Sequence, residues 1–255
     1  MLLSNKYKIT KIITQSTYST LYEAEHIIKK SKVAIKIECD EICKKLLENE
    51  IQLYLYLKKG KEKINIPEIK DIGTYNNYKY IVMELLDKNL KQRVNENITK
   101  HDFIIIIKQL FQLIKIFHSR NLLHRDIKPE NFVFNKDGNL CIIDLGLSCY
   151  NDKREMSKFI GNKLYSSFTC HLDTYIYTQN DDLIAIVYML LHLYTDKLPW
   201  NNTHISYKSK KDCNFNEFYK NKMDKIVELL LFIYNKIGGY YFYHHIEYEI
   251  NKLLN

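Results

Sequence analysis

At 255 residues, with 46% hydrophobic and 27% charged side chains, the chain is long enough for a substantial core and too apolar for a disordered one. The formal net charge of +8 rests almost wholly on lysine, with arginine only at 93, 120, 125 and 154, and no basic stripe with interleaved aromatics marks a nucleic-acid binder. Six cysteines without C-x-x-C pairs argue against a zinc ribbon, and no apolar run has the length of a signal peptide or membrane span, so a cytoplasmic or nuclear protein with reduced thiols is expected.

Residues 7–37 alternate in the manner of strands and end in the compact run VAIKIE at 33–38. Within them, IITQSTYSTLYEA at 12–24 reads as two strands around a polar turn that contains no glycine. Residues 41–59 predict a helix with Ile42, Leu46, Leu47, Tyr54 and Leu57 on one face. Glu48 and Glu50 both lie on it, two residues apart and therefore on opposite sides. Glu50 shares the apolar face and is the carboxylate able to hold a cation inside; Glu48 is expected to be solvated. Strand patterns return at 69–74 and 78–85. From 101 onward the pattern is helical, with helices predicted over 102–118, about 180–194 and 222–236, interrupted by a strand-rich stretch at 132–144. The most apolar run, FIIIIKQLFQLIKIF at 103–117, is broken by Lys108 and Lys115 and reads as a buried helix, whereas KSKK at 208–211 reads as a solvated loop. The pattern predicts an α+β chain, with a small β-rich lobe over about 1–86 and a larger helical lobe over about 87–255; one domain and a monomer are expected.

Chemistry-bearing residues concentrate in LLHRDIKPENFVF at 122–134 and CIIDLGLS at 141–148. H-R-D or D-x-G alone is a weak signal. The full run HRDIKPEN, followed at this distance by D-x-G, resembles the catalytic loop and metal-binding segment of eukaryotic protein kinases. VAIK at 33–36, a helix bearing a glutamate and a strand ending in MELL precede it in matching order. Phosphoryl transfer is catalysed mostly by positioning and charge neutralisation, so the resemblance implies distinct roles. Asp126 orients the attacking hydroxyl and accepts its proton, and Lys128 neutralises charge on the phosphate in transfer. Asn131 and Asp144 offer oxygen ligands to magnesium. Lys36 reaches the α and β phosphates of ATP and is held by Glu50. His124 and Leu145 read as buried packing residues.

More narrowly, the chain resembles the casein kinase one and vaccinia-related kinase group over essentially its whole length. VMELL at 82–86, FHSRNLLHRDIKPENF at 117–132, YSSFTCHL at 165–172 and NDDLIAIVYMLLHLYTDKLPW at 180–200 carry the likeness. It implies a bilobal kinase fold, ATP and Mg2+, serine/threonine protein substrates including acidic or phosphorylated ones, and activity without activation-loop phosphorylation. It further implies adenine bound at the backbone near Glu84 and Leu86 behind Met83, with Ile13, Leu21, Ala34 and Val133 also at the nucleotide, and Asp182 anchoring the catalytic loop. Three departures stand out. Thr14, Ser16 and Ser19 occupy the glycine places of the phosphate loop. Asn162 replaces a threonine that bridges the catalytic aspartate and lysine. Leu164 replaces an arginine of the acidic-substrate site, leaving Lys163 and the lysines at 208, 210 and 211 to serve it. The metal and base ligands favour a working kinase; the glycine-free loop leaves a catalytically silent binding scaffold as the alternative, and a small-molecule kinase is disfavoured by the complete D-x-K-P-E-N run.

Overall fold

The structure, a computed structural model, describes residues 2–39, 44–201, 205, 207–239 and 241–254. They form two compact units, Met1–Asp87 with Val133–Leu147, and Lys88–Phe132 with Ser148–Asn255.

The first unit is built on six antiparallel strands, β1 (Leu2–Leu3), β2 (Tyr7–Gln15), β3 (Ser19–His26), β4 (Lys32–Glu38), β5 (Ile69–Tyr75) and β6 (Tyr78–Glu84), in the order β1-β2-β3-β4-β6-β5. β4 lies inside the sheet, which is why its sequence is a compact apolar run rather than an alternation: Val33, Ala34, Ile35 and Ile37 are all buried. Leu3, Tyr7, Ala24, Val33, Ile35, Tyr80 and Val82 make one core cluster. Helix α1 (Lys44–Lys58) buries Leu47, Glu50, Ile51, Tyr54 and Leu57, the three- and four-residue spacing of one helical face. The expected start of this helix at 41–43, Ile42 included, lies outside the described residues. Glu48 is on the exposed side and pairs with Lys79 at 2.6 Å.

After Glu84 the chain runs on without regular structure to helix α2 (Leu90–Val94), in the second unit, which also holds α3 (Lys100–Ser119) and strand β7 (Leu122–Leu123). α3 begins two residues earlier than its apolar periodicity indicates because Thr99 and Asp102 form a reciprocal capping box. The hairpin β8 (Phe132–Phe134) and β9 (Leu140–Ile142) follows. Both strands are tied to the first unit: Asp87 N donates to Phe134 O of β8 at 2.8 Å, and Ile142 N of β9 donates to Asn65 O at 3.1 Å. Short strands β10 (Cys149–Tyr150), β11 (Glu155–Met156) and β12 (Tyr175–Ile176) lead to α4 (Gln179–Thr195), α5 (Tyr207–Lys211), α6 (Phe215–Tyr219), α7 (Lys225–Lys236) and α8 (Phe242–Leu254). α7 starts at 225 rather than 222 because the Asp224 carboxylate accepts from Ile226 N and Val227 N, fixing the cap there. An aromatic cluster of Tyr188, Trp200, Phe215 and Tyr234 joins α4, α6 and α7, with Tyr188 and Trp200 edge to face at 4.7 Å.

The KSKK stretch departs from expectation. It is not a solvated loop but part of α5, and Lys210 is fully buried against that aromatic cluster, its Nζ 5.3 Å from the Trp200 ring centre. Lys208 and Lys211 remain exposed.

Candidate active site

In the first unit, β4 presents Lys36 beside α1. Its Nζ donates to Glu50 Oε2 at 2.6 Å and to Asp144 Oδ1 at 2.8 Å. Burial disfavours the ammonium, but the two carboxylates outweigh it and hold Lys36 above the ordinary lysine range. Burial pushes the Glu50 carboxyl up, opposed by Lys36. Glu50 thus faces inward beside Lys36, and Glu48 faces outward, as the helical periodicity predicts.

Two further members of this cluster looked like ordinary helix residues in the sequence. Tyr54, one turn after Glu50 and 1% exposed, accepts from Asp144 N at 3.3 Å and hydrogen-bonds the Glu50 carboxylate. Burial and the neighbouring Glu50 charge raise its phenol well above the usual range, so the hydroxyl keeps the proton that it donates. Asn49 Nδ2 donates to the carbonyls of Leu145 at 3.4 Å and Gly146 at 3.0 Å. Together they tie α1 to the D-x-G turn, where Asp144 sits in the left-handed region at φ 60° and Leu145 is fully buried. The signal available in the sequence was their spacing: Tyr54 is Glu50 plus four, and Asn49 adjoins it.

The β2–β3 turn that carries Thr14, Ser16 and Ser19 is closed by its own side chain. Ser16 Oγ accepts from Tyr18 N at 3.2 Å and Ser19 N at 3.1 Å, and Ser16 N donates to Ser19 O at 3.0 Å. No residue from Thr14 to Ser19 has a positive φ. Thr14 stands opposite Leu21 across the hairpin, and Ile13 is 43% exposed. Ala34 and Met83 are buried cross-strand partners, and Glu84 ends β6 with its backbone N–H donating to Glu68 O at 2.8 Å, while Leu86 follows, half-buried. Val133 is buried in β8.

In the second unit, Asp126 Oδ2 accepts from Lys128 Nζ at 2.6 Å and Asn131 Nδ2 at 3.1 Å, and Asn131 Nδ2 also reaches Asp126 O at 2.8 Å. Both side-chain contacts fall on Oδ2, and Oδ1 is left for another donor. The loop is anchored from α4: Asp182, wholly buried, accepts from His124 N at 2.8 Å, Arg125 N at 3.0 Å, Tyr177 OH at 2.8 Å and His118 Nε2 at 3.0 Å. Burial opposes its charge, yet these bonds and the two histidines hold the Asp182 carboxyl below the usual range. His124 is enclosed between Phe117 and Phe132, with ring centres at 5.9 and 6.2 Å, as a packing residue.

A β-rich unit carrying a Lys–Glu–Asp triad and a helical unit carrying an anchored H-R-D loop are the α+β arrangement of protein kinases. The family model described as the protein kinase domain matches residues 7–236, and the chain belongs to that family. A solved structure described as the crystal structure of a kinase domain is similar in fold, with a TM-score of 0.70 at 18% identity, covering 80% of this chain and 68% of the other. Membership implies use of ATP with a divalent metal, generally Mg2+. Each unit has an oxygen donor of the kind such an ion takes: Asp144 in the first has a half-exposed carboxylate, and Asn131 in the second, which uses its amide nitrogen internally, keeps a carbonyl oxygen. Among the described residues no group of three His, Cys, Asp or Glu could cage a metal.

Two outcomes are expected. Replacing Tyr54 by Phe removes the hydroxyl shared by Glu50 and Asp144 N and should lower stability by about 1–2 kcal/mol in chemical denaturation; an unchanged midpoint would show that the hydroxyl holds nothing. Replacing Ser16 by Ala should speed hydrogen exchange at the Tyr18 and Ser19 amides about fivefold or more, a loss of about 1 kcal/mol locally, while β4 amides stay unchanged.

Proposed function

We propose that the chain is a serine/threonine protein kinase that transfers the γ-phosphate of ATP to hydroxyls of protein substrates, and that residues 1–255 form one kinase domain of the casein kinase one and vaccinia-related kinase type. The observation that carries the reading is the Asp126–Lys128–Asn131 cluster, in which a carboxylate is held by a cation two residues on and an amide five residues on. Asp126 presents Oδ1 to the incoming hydroxyl, orients it and takes its proton. Lys128 offsets negative charge at the transferred group. Lysine at this place in D-x-K-P-E-N supports hydroxyls of serine and threonine as acceptors. Asn131 and Asp144 would offer oxygen ligands to the metal, which when bound would neutralise phosphate charge. Lys36, kept charged by Glu50 and Asp144, binds the α and β phosphates. The backbone at Glu84 and Leu86 takes adenine, with Ile13, Leu21, Ala34, Met83 and Val133 as apolar neighbours, and the hairpin of Thr14, Ser16 and Ser19 covers the phosphates.

A modest preference for acidic substrates belongs to the same reading, now with a smaller set of cations. Lys210 is buried, so Lys163, Lys208 and Lys211 are the exposed lysines available for it. Each exposed pair contributes on the order of 1 kcal/mol or less, and salt screens it. We further propose a monomeric, intracellular enzyme, active without phosphorylation of its own activation segment.

The deciding measurement pairs calorimetric titration of MgATP with a radiolabelled ATP assay on casein. Wild type should bind and transfer phosphate, and Asp126→Asn should bind equally but transfer about 10²–10⁴-fold more slowly. Equal transfer by both proteins would remove Asp126 from catalysis, and binding without any transfer by wild type would favour the scaffold.

A further inference from the structure

The buried lysine of α5 has partners that explain its position. Gly161, at φ 95°, lies so close to the catalytic loop that a Cβ there would stand 2.0 Å from Arg125 O and 3.6 Å from Asp126 Cα. From this contact the chain enters a tight turn. Asn162 Oδ1 accepts from Leu164 N at 2.9 Å and Tyr165 N at 3.3 Å, and Asn162 O accepts from Ser166 N at 2.9 Å. A single helical turn of this kind leaves carbonyls at its far end without partners. Here side chains fill them. Trp200 Nε1 donates to Leu164 O at 2.9 Å. Lys210 Nζ donates to Lys163 O at 2.7 Å and Ser166 O at 2.5 Å, with Ser166 Oγ at 3.3 Å. Three ammonium protons meet three oxygens, above the faces of Trp200 and Tyr188 at 5.3 and 5.8 Å.

An apolar side chain of the same length would fill this aromatic pocket at lower desolvation cost. What the lysine adds is a fixed position for the turn. That position matters for the chemistry because Gly161, from which the turn departs, abuts the backbone at Arg125 O, next to Asp126, the residue that must meet an acceptor hydroxyl. We propose that Lys210 is a positioning residue for the acceptor: by fastening the 162–166 turn from beneath, it sets the surface along which a substrate peptide lies beside Asp126. The inference rests on the kinase reading of Asp126. It also replaces a surface role for this lysine in reading acidic residues, since a side chain with no exposure cannot meet a substrate. Burial pulls its ammonium down to about 7, and the neutral amine would keep two N–H donors, enough for the two shorter bonds to Lys163 O and Ser166 O.

The test uses the full chain as wild type, Lys210→Met and Lys210→Arg. Hydrogen exchange is read at the Leu164, Tyr165 and Ser166 amides, and KM is measured for a serine peptide and for ATP separately. Lys210→Met should speed exchange at these three amides about tenfold and raise the peptide KM by about tenfold, with the ATP KM within about twofold of wild type. Lys210→Arg, which keeps donors in the pocket, should recover part of both effects. Unchanged exchange in Lys210→Met overturns the fastening whatever the activity. Faster exchange with an unchanged peptide KM overturns the link to the acceptor, as does a parallel rise in both KM values with faster exchange throughout α4, which marks a general loss of packing. An inactive wild type counts against the kinase reading instead; the peptide KM is then replaced by the dissociation constant of the fluorescein-labelled serine peptide, with the same tenfold weakening expected and an unchanged constant overturning the proposal.

Discussion

A charge can be buried in a protein only when its oxygens or protons are filled, and Asp182 shows how much structure that constraint organises. It has no exposure, and four donors converge on it from α3, the catalytic loop and the segment before α4. Two of those donors are consecutive backbone N–H groups, His124 and Arg125. They hold the loop in a conformation it would not choose, since Arg125 sits at φ 67°. The loop geometry that places Asp126 beside Lys128 and Asn131 is thus fixed by a carboxylate that never touches substrate. Lys36 obeys the same constraint in the first unit with the signs reversed, one buried cation between two carboxylates.

The neighbouring Asp181 extends the principle to the segment after the catalytic loop. Its Oδ2 accepts from Thr178 N at 2.7 Å and closes the N-terminus of α4, while Oδ1 takes the hydroxyls of Ser167 and Thr169. Two adjacent carboxylates at the start of one helix therefore hold the loop on one side and the 167–169 stretch on the other. Both lie within the first turn, where the helix dipole favours negative charge.

The sheet, α1, the long helices and the polar cluster of the catalytic loop were legible because each has a local signature: the apolar run of β4, the apolar face that carries Glu50, the contiguous HRDIKPEN. What escaped was decided by tertiary neighbours. Nothing in KSKK separates Lys210 from Lys208 and Lys211; only the packing of α5 over Trp200 and Tyr188 selects it. Tyr54 read as one more apolar contact, because the Asp144 amide it accepts from is 90 residues away. Asn162 read as the loss of a bridging threonine, while its carbonyl and side chain build the turn that Lys210 closes.

The hairpin and Gly161 show what the scarcity of glycine means here. Glycine is required where φ is positive or where another backbone comes too close for a Cβ. At Gly161 both conditions hold, and any side chain would collide with Arg125 O. At the β2–β3 turn the first does not hold: all residues from Thr14 to Ser19 keep negative φ, and Ser16 supplies the acceptor that closes the turn. The glycine-free β2–β3 turn is therefore a backbone conformation open to ordinary residues, not a strained copy of a glycine-rich one. On the proposed nucleotide reading the consequence falls on side chains, because the Ser16 hydroxyl already donates to Ser19 O at 3.0 Å and has no second hydrogen for a phosphate. On that reading, recognition of the phosphates rests more on Lys36, whose charge Glu50 and Asp144 secure.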